Sequence, residues 1–264
     1  MERRSKRNPV VNLRGRSLHL IPLRGLPEIR RGHDLPRLIA GDRRRPGFAF
    51  AHGDVLVVAQ KTISKSEGRI IRLSSLRPSA EARRLARKLR QDARFVQAIL
   101  QETRRVVRQG RRILIVETRH GLVCANAGVD RSNVPGKDRV ALLPRNPDVS
   151  ARRLAAALKR RTGKRVAVII SDTFGRPWRL GLVNVAVGAA GLPVLLDLRG
   201  SRDRSGKRLR ATILALADEL AAAAGLLMGK AEGVPAVVIR GLRYRPARDS
   251  AARMIRPASE DLFR

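Results

Sequence analysis

The segment Arg165 to Ser171, RVAVIIS, is short, rich in branched apolar residues and followed at once by the polar run DTFGR. Such a run is a buried strand, and it commits the chain to a sheet. Asp54 to Gln60 (DVLVVAQ) and Ser17 to Leu23 read the same way. Between and after them the pattern changes. Asp34 to Ala40 predicts a short helix, and from Ser79 the apolar residues Ala82, Leu85, Ala86, Leu89, Ala93, Val96, Ile99 and Leu100 recur at helical spacing, backed by arginines. Ser79 with Glu81 just inside is a helix start, so a helix pair is expected to run to about Gly110.

Further strands are predicted at Arg112 to Glu117, Leu122 to Ala125 and Arg139 to Leu143, with a loop, NAGVDRSN, over Asn126 to Asn133. The helix Ser150 to Arg161 leads into RVAVIIS, whose exit is expected at Asp172 to Gly175. Strands around Val183 to Val187 and Pro193 to Leu196, a charged loop Asp197 to Lys207, a helix Ala211 to Met228 and a last strand Pro235 to Arg240 complete the pattern. The stretch after Tyr244 looks loosely attached. Strands and helices alternate without repeats or a clear linker. The domain division is 1–16 as a basic N-terminal extension, 17–245 as the domain, and 246–264 as a C-terminal tail.

Charge enters the argument next, because 57 Lys+Arg against 22 Asp+Glu give +35. A hydrophobic content of 43% excludes a disordered basic tail protein. Only nine of the basic residues are lysines; the arginines are spread over every segment, and with one Trp, one Tyr and five Phe there is little on which bases could stack. No specific nucleic-acid partner is expected, although a field of this size attracts any polyanion at low salt. The single Cys124 excludes an internal disulfide and a multi-thiolate metal site, and reads as a small core residue in a reducing compartment. No apolar run approaches the roughly 18 residues of a membrane span, and Leu18 to Leu23, broken by Arg24, is too short for a signal-peptide core. A cytoplasmic protein with no membrane partner is expected.

Several chemistries fall away on motif grounds. There is no GxGxxG and no HExxH, and His19, His33, His52 and His120 are scattered. Gly200 to Arg208, GSRDRSGKR, fails as a P-loop, with five residues between its glycines and Arg208 where a metal-binding hydroxyl is needed. In a chain so poor in acids, an aspartate at a strand exit or in a Gly-rich loop stands out. Asp130 in NAGVDRSN and Asp172 after IIS are the foremost pair, with the Thr173 hydroxyl beside the second. Hard oxygen donors of this kind suit Mg²⁺ or Mn²⁺. Each could instead form a turn or pair with Arg131 or Arg176, and these residues alone leave both readings open. Lys61 to Gly68, KTISKSEG, follows DVLVVAQ and offers Ser64 and Lys65 as phosphate contacts at a strand exit, or Lys65 as a solvated loop lysine. The loop around Asp197, Gly200, Asp203 and Gly206, and the helical pair Asp218 and Glu219, are weaker candidates.

With these residues assembled, the sequence resembles the coenzyme F420:L-glutamate ligase family, also called F420-0 gamma-glutamyl ligases. The stretches IPLRGLPEI, GDVLVVAQKTISKSEGR, GLVCANAGVDRSNV, IISDTFGRPWRLGLVNVAVGAAG, the DxxGxxDxxG loop, ADELAAAAGLLMGK and VPAVVIRGL carry the resemblance in order over Leu18 to Tyr244. MIRPASEDLFR looks like the bacterial version, and because the chain stops at Arg264 a following nitroreductase-like domain is not expected.

The resemblance implies an α+β fold, a mixed β-sheet with flanking helices, in an intertwined homodimer. It also implies a GTP-dependent ligase that adds L-glutamate to the phospholactate-linked deazaflavin F420-0 and then further gamma-linked glutamates, with Mg²⁺ or Mn²⁺ and potassium stimulation, releasing GDP and phosphate through an acyl phosphate. By that resemblance Asp130, Asp172 and Thr173 are metal positions, and Asp130, Asp172 and Lys65 carry the catalysis. Lys65, Asn133, Gln60, the turn Gly25, Leu26, Pro27 and Glu28, and the segment Met228, Gly229 and Lys230 form the nucleotide pocket. Gln60 stands where relatives often have Ser, and Lys230 where some are acidic. Two unit charges about 4 Å apart repel by about 4 kcal/mol at an effective dielectric of about 20, so two aspartates facing a triphosphate require cations between them. Two rival readings stay open: an RNA- or ribosome-associated basic protein, and another nucleotide-dependent amide ligase on the same scaffold.

Overall fold

The structure is a computed structural model and describes residues 17–41 and 48–262. The extension expected over 1–16 and the last two residues of the expected tail lie outside the described residues. Among the described residues twelve strands and six α-helices follow in order: β1 (His19–Pro22), α1 (Leu35–Ala40), β2 (Val55–Ala59), α2 (Gln60–Ser66), β3 (Ile70–Arg72), α3 (Ala80–Leu89), α4 (Ala93–Glu102), β4 (Thr103–Gly110), β5 (Ile113–Thr118), β6 (Val123–Ala125), β7 (Arg139–Ala141), α5 (Pro147–Thr162), β8 (Ala167–Arg176), β9 (Arg179–Ala190), β10 (Leu196–Asp197), β11 (Ile213–Leu214), α6 (Leu216–Met228) and β12 (Ala236–Arg240).

The architecture is α+β. Its main sheet has the order β1-β12-β2-β8-β9 and is mixed: β2 and β8 run parallel, and the other neighbours are antiparallel. Because side chains alternate across a strand, VLVVA and AVII cover both faces of the sheet with apolar groups. Val55, Val57 and Ile169 pack under α6, while Leu56, Val58, Val168 and Ile170 pack against α1 and α5. A third core, formed by α3 and α4 against the three-stranded sheet β4-β5-β6, carries the stripe read from the sequence, with Ala82, Leu85, Leu89, Val96 and Ile99 all buried. Ser79 caps α3 as expected, its hydroxyl accepting from Ala82 N at 3.1 Å, and Cys124 is a buried free thiol. Among the described residues, no helix is long and apolar enough to cross a membrane.

Several sequence expectations are corrected. The helix pair stops at Glu102, and Thr103–Gly110 is strand β4, held by pairing with β5. The helix expected from Ala211 starts at Leu216, because Ile213–Leu214 pairs with Leu196–Asp197. The run after DVLVVA is the helix α2, where the sequence suggested an irregular strand exit. The segment after Tyr244 is tied down: Asp249 is buried and accepts from Val194 N, and Ala251 sits in the core with its N–H bonded to Asp148.

Candidate functional site

One edge of the main sheet collects the segments singled out above. Since β2 and β8 are parallel with Ala59 opposite Ser171, Gln60 and Asp172 emerge side by side, although they are distant in sequence. The antiparallel neighbours add their ends at the same edge: β12 begins there, with Ala236 opposite Val58, and β1 finishes there, with Pro22 opposite Val237. A cleft of about 550 Å³ lies over this edge, a size suited to a nucleotide-sized ligand.

Most of the expected residues line it. Leu26, Pro27 and Glu28 come from the turn after β1, Gln60 and Lys65 from α2, and Met228, Gly229 and Lys230 from the connection into β12. Asn133 contributes from the loop before β7, and Asp172 and Thr173 from β8. Gly25 and Asp130 are not on its wall. Asp130 reaches the cleft through Lys61, which is.

Asp172 does not mark the end of its strand, as the sequence suggested. β8 continues to Arg176, paired with β9, and a register shift between Ile170 and Ser171 falls just before the aspartate. An irregularity of that kind bends a strand and re-aims the side chains beyond it. Thr173 lies opposite Asn184, to whose Oδ1 its hydroxyl donates at 3.1 Å, and the same hydroxyl accepts from Lys230 Nζ at 3.0 Å. Asn133 Nδ2 donates to Lys230 O at 3.1 Å, so the loop before β7 and the loop after α6 meet over Thr173.

The segment carrying Asp130 is locally strained. Asn126, Ala127 and Gly128 all have positive φ, and a side chain at Gly128 would sit 2.8 Å from Leu143 Cγ. The left-handed turn and that close approach explain the glycine. Backbone bonds in both directions between Asp130 and Ala141 then fix the aspartate.

Lys61 Nζ lies 2.6 Å from Asp130 Oδ2 and 2.7 Å from Ser132 Oγ, while Ser132 donates its N–H and hydroxyl to the same carboxylate at 2.7 and 2.8 Å. Burial raises the Asp130 pKa, but Lys61 and Ser132 outweigh it, and the net shift is downward. Asp172 goes the other way. Burial pushes it up to about 6, Asp130 adds to the rise, and the Thr173 N–H (2.8 Å), Lys61 and Lys230 oppose it. The two acids therefore feel each other electrostatically, and Lys61 acts on both. Lys65 Nζ is 2.5 Å from Glu28 Oε1 at the rim.

Among the described residues, no cluster of three or more His, Cys, Asp or Glu is present. A divalent cation here would rest on Asp130, Asp172 and the Thr173 hydroxyl, with water and ligand oxygens completing its shell. Mg²⁺ is commonly held by one or two carboxylates plus phosphates. The raised Asp172, which among the described residues accepts one hydrogen bond, from Thr173 N, is an under-compensated carboxylate of the kind such a cation relieves.

Lys61, Ser132 and Asn184 are site residues that the sequence reading did not single out. Lys61 and Lys65 are four apart on α2, so they share a helix face, a signal available only once KTISKS is read as helical. The remaining candidates fall elsewhere. Asp197 pairs with Arg199, Asp203 caps its own turn through Ser205 and Lys207, and Asp218 accepts from Ala186 N at 2.8 Å, joining α6 to β9.

The profile of the family described as F420-0:Gamma-glutamyl ligase matches residues 25–241. Among curated proteins, the coenzyme F420:L-glutamate ligase of Methanothermobacter thermautotrophicus is 46% identical over 251 residues, covering 94% of this chain and 99% of its own length. The protein of the same name from Methanopyrus kandleri is 47% identical over 243 residues, covering 90% and 94%. That from Archaeoglobus fulgidus is 42% identical over 248 residues, covering 94% and 96%.

Proposed function

The chain belongs to the F420-0:gamma-glutamyl ligase family and is a ligase that forms amide bonds, and we propose that it joins L-glutamate to coenzyme F420-0, and then further glutamates through gamma linkages, at the expense of GTP. The observation that carries this reading is the pairing of opposite charges around one cleft, with Lys61 and Lys65 on a single helix face and Asp130 and Asp172 across from them.

An amide forms from a carboxylate only after its oxygen becomes a leaving group. In the proposed sequence the acceptor carboxylate attacks the γ-phosphorus of GTP, GDP leaves, and the amine of glutamate then displaces phosphate from the acyl phosphate. For phosphoryl transfer of this kind the protein supplies position and charge compensation. Lys65, paired with Glu28, would exchange that partner for a phosphate oxygen, and Lys61 would do the same with Asp130. Asn133 and Lys230, already bonded to each other, close the cleft above Thr173. Asp130, Asp172 and Thr173 would hold Mg²⁺ or Mn²⁺, whose positive charge offsets that of the triphosphate.

The homodimer is part of the same reading. The hairpin of β8 and β9 projects beyond the sheet with Trp178 (86% exposed), Leu180 (99%) and Leu182 (65%) in solvent, and Leu226 (83%) of α6 is similarly exposed. Apolar exposure of this order marks an association surface. The test of the activity is direct: purified protein with F420-0, L-glutamate, GTP and Mn²⁺ should yield products heavier by whole glutamyl units together with GDP. Absence of such products with active substrate would overturn the reading.

A further inference from the structure

A second cavity, of about 530 Å³, adjoins the cleft and shares Glu28, Ile29, Lys65 and Pro135 with it. It is lined by the apolar residues Ile29, Ile70 and Ile71 and by Arg30, Arg31, Arg72 and Arg139. Arg72 and Arg139 are directly opposed in the β3–β7 ladder. Like charges in that position work against strand pairing. Arg31 is laid along Gly68, where a side chain would come within 2.8 Å of its Cδ. Among the described residues none of these four arginines is ion-paired to a carboxylate, whereas Arg69, Arg104, Arg105, Arg199 and Arg240 are. The cavity's one acid, Glu28, is engaged by Lys65 at the boundary between the two spaces.

We propose that this second cavity is an anion subsite for the acceptor, holding the charged group one unit behind the carboxylate that is to be ligated. The inference rests on the ligase reading above. In the first addition that group is a phosphodiester; in later additions it is the α-carboxylate of the preceding glutamate. Both are planar or tetrahedral oxyanions that the fork of a guanidinium binds with two parallel hydrogen bonds. The isoleucines in the lining would offer apolar contact to the methylene groups that separate successive anions in a gamma-linked chain. A ligand spanning both cavities passes Lys65 and Glu28, so that one cationic surface serves the first acceptor and its elongated products alike.

The test uses the full chain carrying Arg72→Gln with Arg139→Gln, both exposed positions, and separately Arg31→Gln, with thermal melting to establish that each variant folds. Calorimetric titration with tri-γ-L-glutamate, with F420-0 and with GTP is the readout. Loss of about tenfold in affinity for tri-γ-L-glutamate and for F420-0, with GTP affinity held within about twofold, is expected for removal of charge-assisted contacts. A loss confined to one of the two acceptors still supports the subsite and identifies which anion it holds. Unchanged affinity for both, failure of the unaltered protein to bind either, or an equal loss for GTP overturns it. If the unaltered protein binds the acceptors but never ligates them, the ligase reading fails by itself. If it ligates normally and the double variant keeps the same acceptor KM, the subsite alone fails.

Discussion

Lys61 and Asp130 are joined at 2.6 Å across the gap between α2 and the loop before β7, with Ser132 bonded to both. The ammonium occupies a face of the carboxylate that a metal ion would need. Lys61→Met keeps the apolar stem and removes this internal counter-cation. In the absence of nucleotide the variant should bind Mn²⁺ several-fold more tightly, followed by electron paramagnetic resonance titration, and its GTP affinity should fall through loss of the proposed phosphate contact. Equal Mn²⁺ affinity in the two proteins would show that Lys61 does not compete for the carboxylate.

Asp172 makes stability depend on pH in a direction opposite to that of a salt-bridged acid. Its folded pKa, about 6, lies above the ordinary 3.8, so between these values the folded state holds a proton that the unfolded chain has released. Unfolding free energy therefore falls as pH rises through that window, by up to ~3 kcal/mol, and stays lower above it. Asp172→Asn should be more stable than the unaltered protein at pH 7.5 and indistinguishable from it near pH 4, measured by urea denaturation without metal. It should also lose metal-dependent turnover. A stability difference of equal size at both pH values would exclude burial of this carboxylate as its origin.

The parts of the fold that were legible are those where local pattern and final environment agree. RVAVIIS and DVLVVAQ are apolar because both of their faces are covered, by α6 on one side and by α1 and α5 on the other, and the Ser79 start and the arginine-backed stripe of α3 and α4 are visible because an amphipathic helix needs both. The misreadings occur where a partner distant in sequence decides. Thr103–Gly110 is a strand because β5 lies beside it, and Asp172 to Arg176 stays extended because β9 does. Helix α2 starts after Ala59 without a side-chain cap, so nothing local announced it. The candidate site was found through family resemblance and the scarcity of acids. The Lys61–Asp130 contact depends on tertiary folding and could not be read from spacing.

Gln60 is 2% exposed at the start of α2, with its Oε1 accepting from Ser64 Oγ at 3.0 Å and its Nε2, among the described residues, without a hydrogen-bond partner. A buried amide left in this state costs about 1–3 kcal/mol, and a ligand oxygen reaching it would recover part of that cost. Gln60→Leu should therefore raise the melting temperature of the free protein and weaken GTP binding. A stabilised variant with unaltered GTP affinity would remove Gln60 from the nucleotide pocket.

The projecting hairpin gives the proposed homodimer a specific test. Leu180 is 99% exposed at its end, so Leu180→Asp cannot disturb a core within one chain. Placed in an interface between two copies, the introduced carboxylate would be desolvated without a partner, a penalty large enough to separate them. Sedimentation should show a dimer for the unaltered protein and a monomer for the variant with the same melting behaviour at low concentration. A dimer that survives the substitution would move the interface elsewhere.

At the opposite end of β2 from the cleft, Asp54 is 1% exposed and receives Arg240 in a two-point contact, Nε to Oδ1 at 2.9 Å and Nη2 to Oδ2 at 2.8 Å, together with the Ala51 N–H at 2.8 Å. The pair ties the start of β2 to the end of β12, beside β1. Asp54→Ala leaves the Ala51 N–H without its acceptor and takes two contacts from the guanidinium, which keeps Ala49 O and, being partly exposed, reaches water; the loss is about 1–3 kcal/mol. Asp54→Leu with Arg240→Met removes both charges at once and should recover part of that loss, because only the Ala51 N–H is then left without its acceptor. Urea midpoints separate the two cases. GTP affinity, measured well below the unfolding transition, should be the same in all three proteins, since the change lies a full strand length from the cleft. A double variant as unstable as Asp54→Ala would mean that the carboxylate serves the Ala51 turn more than it serves the arginine.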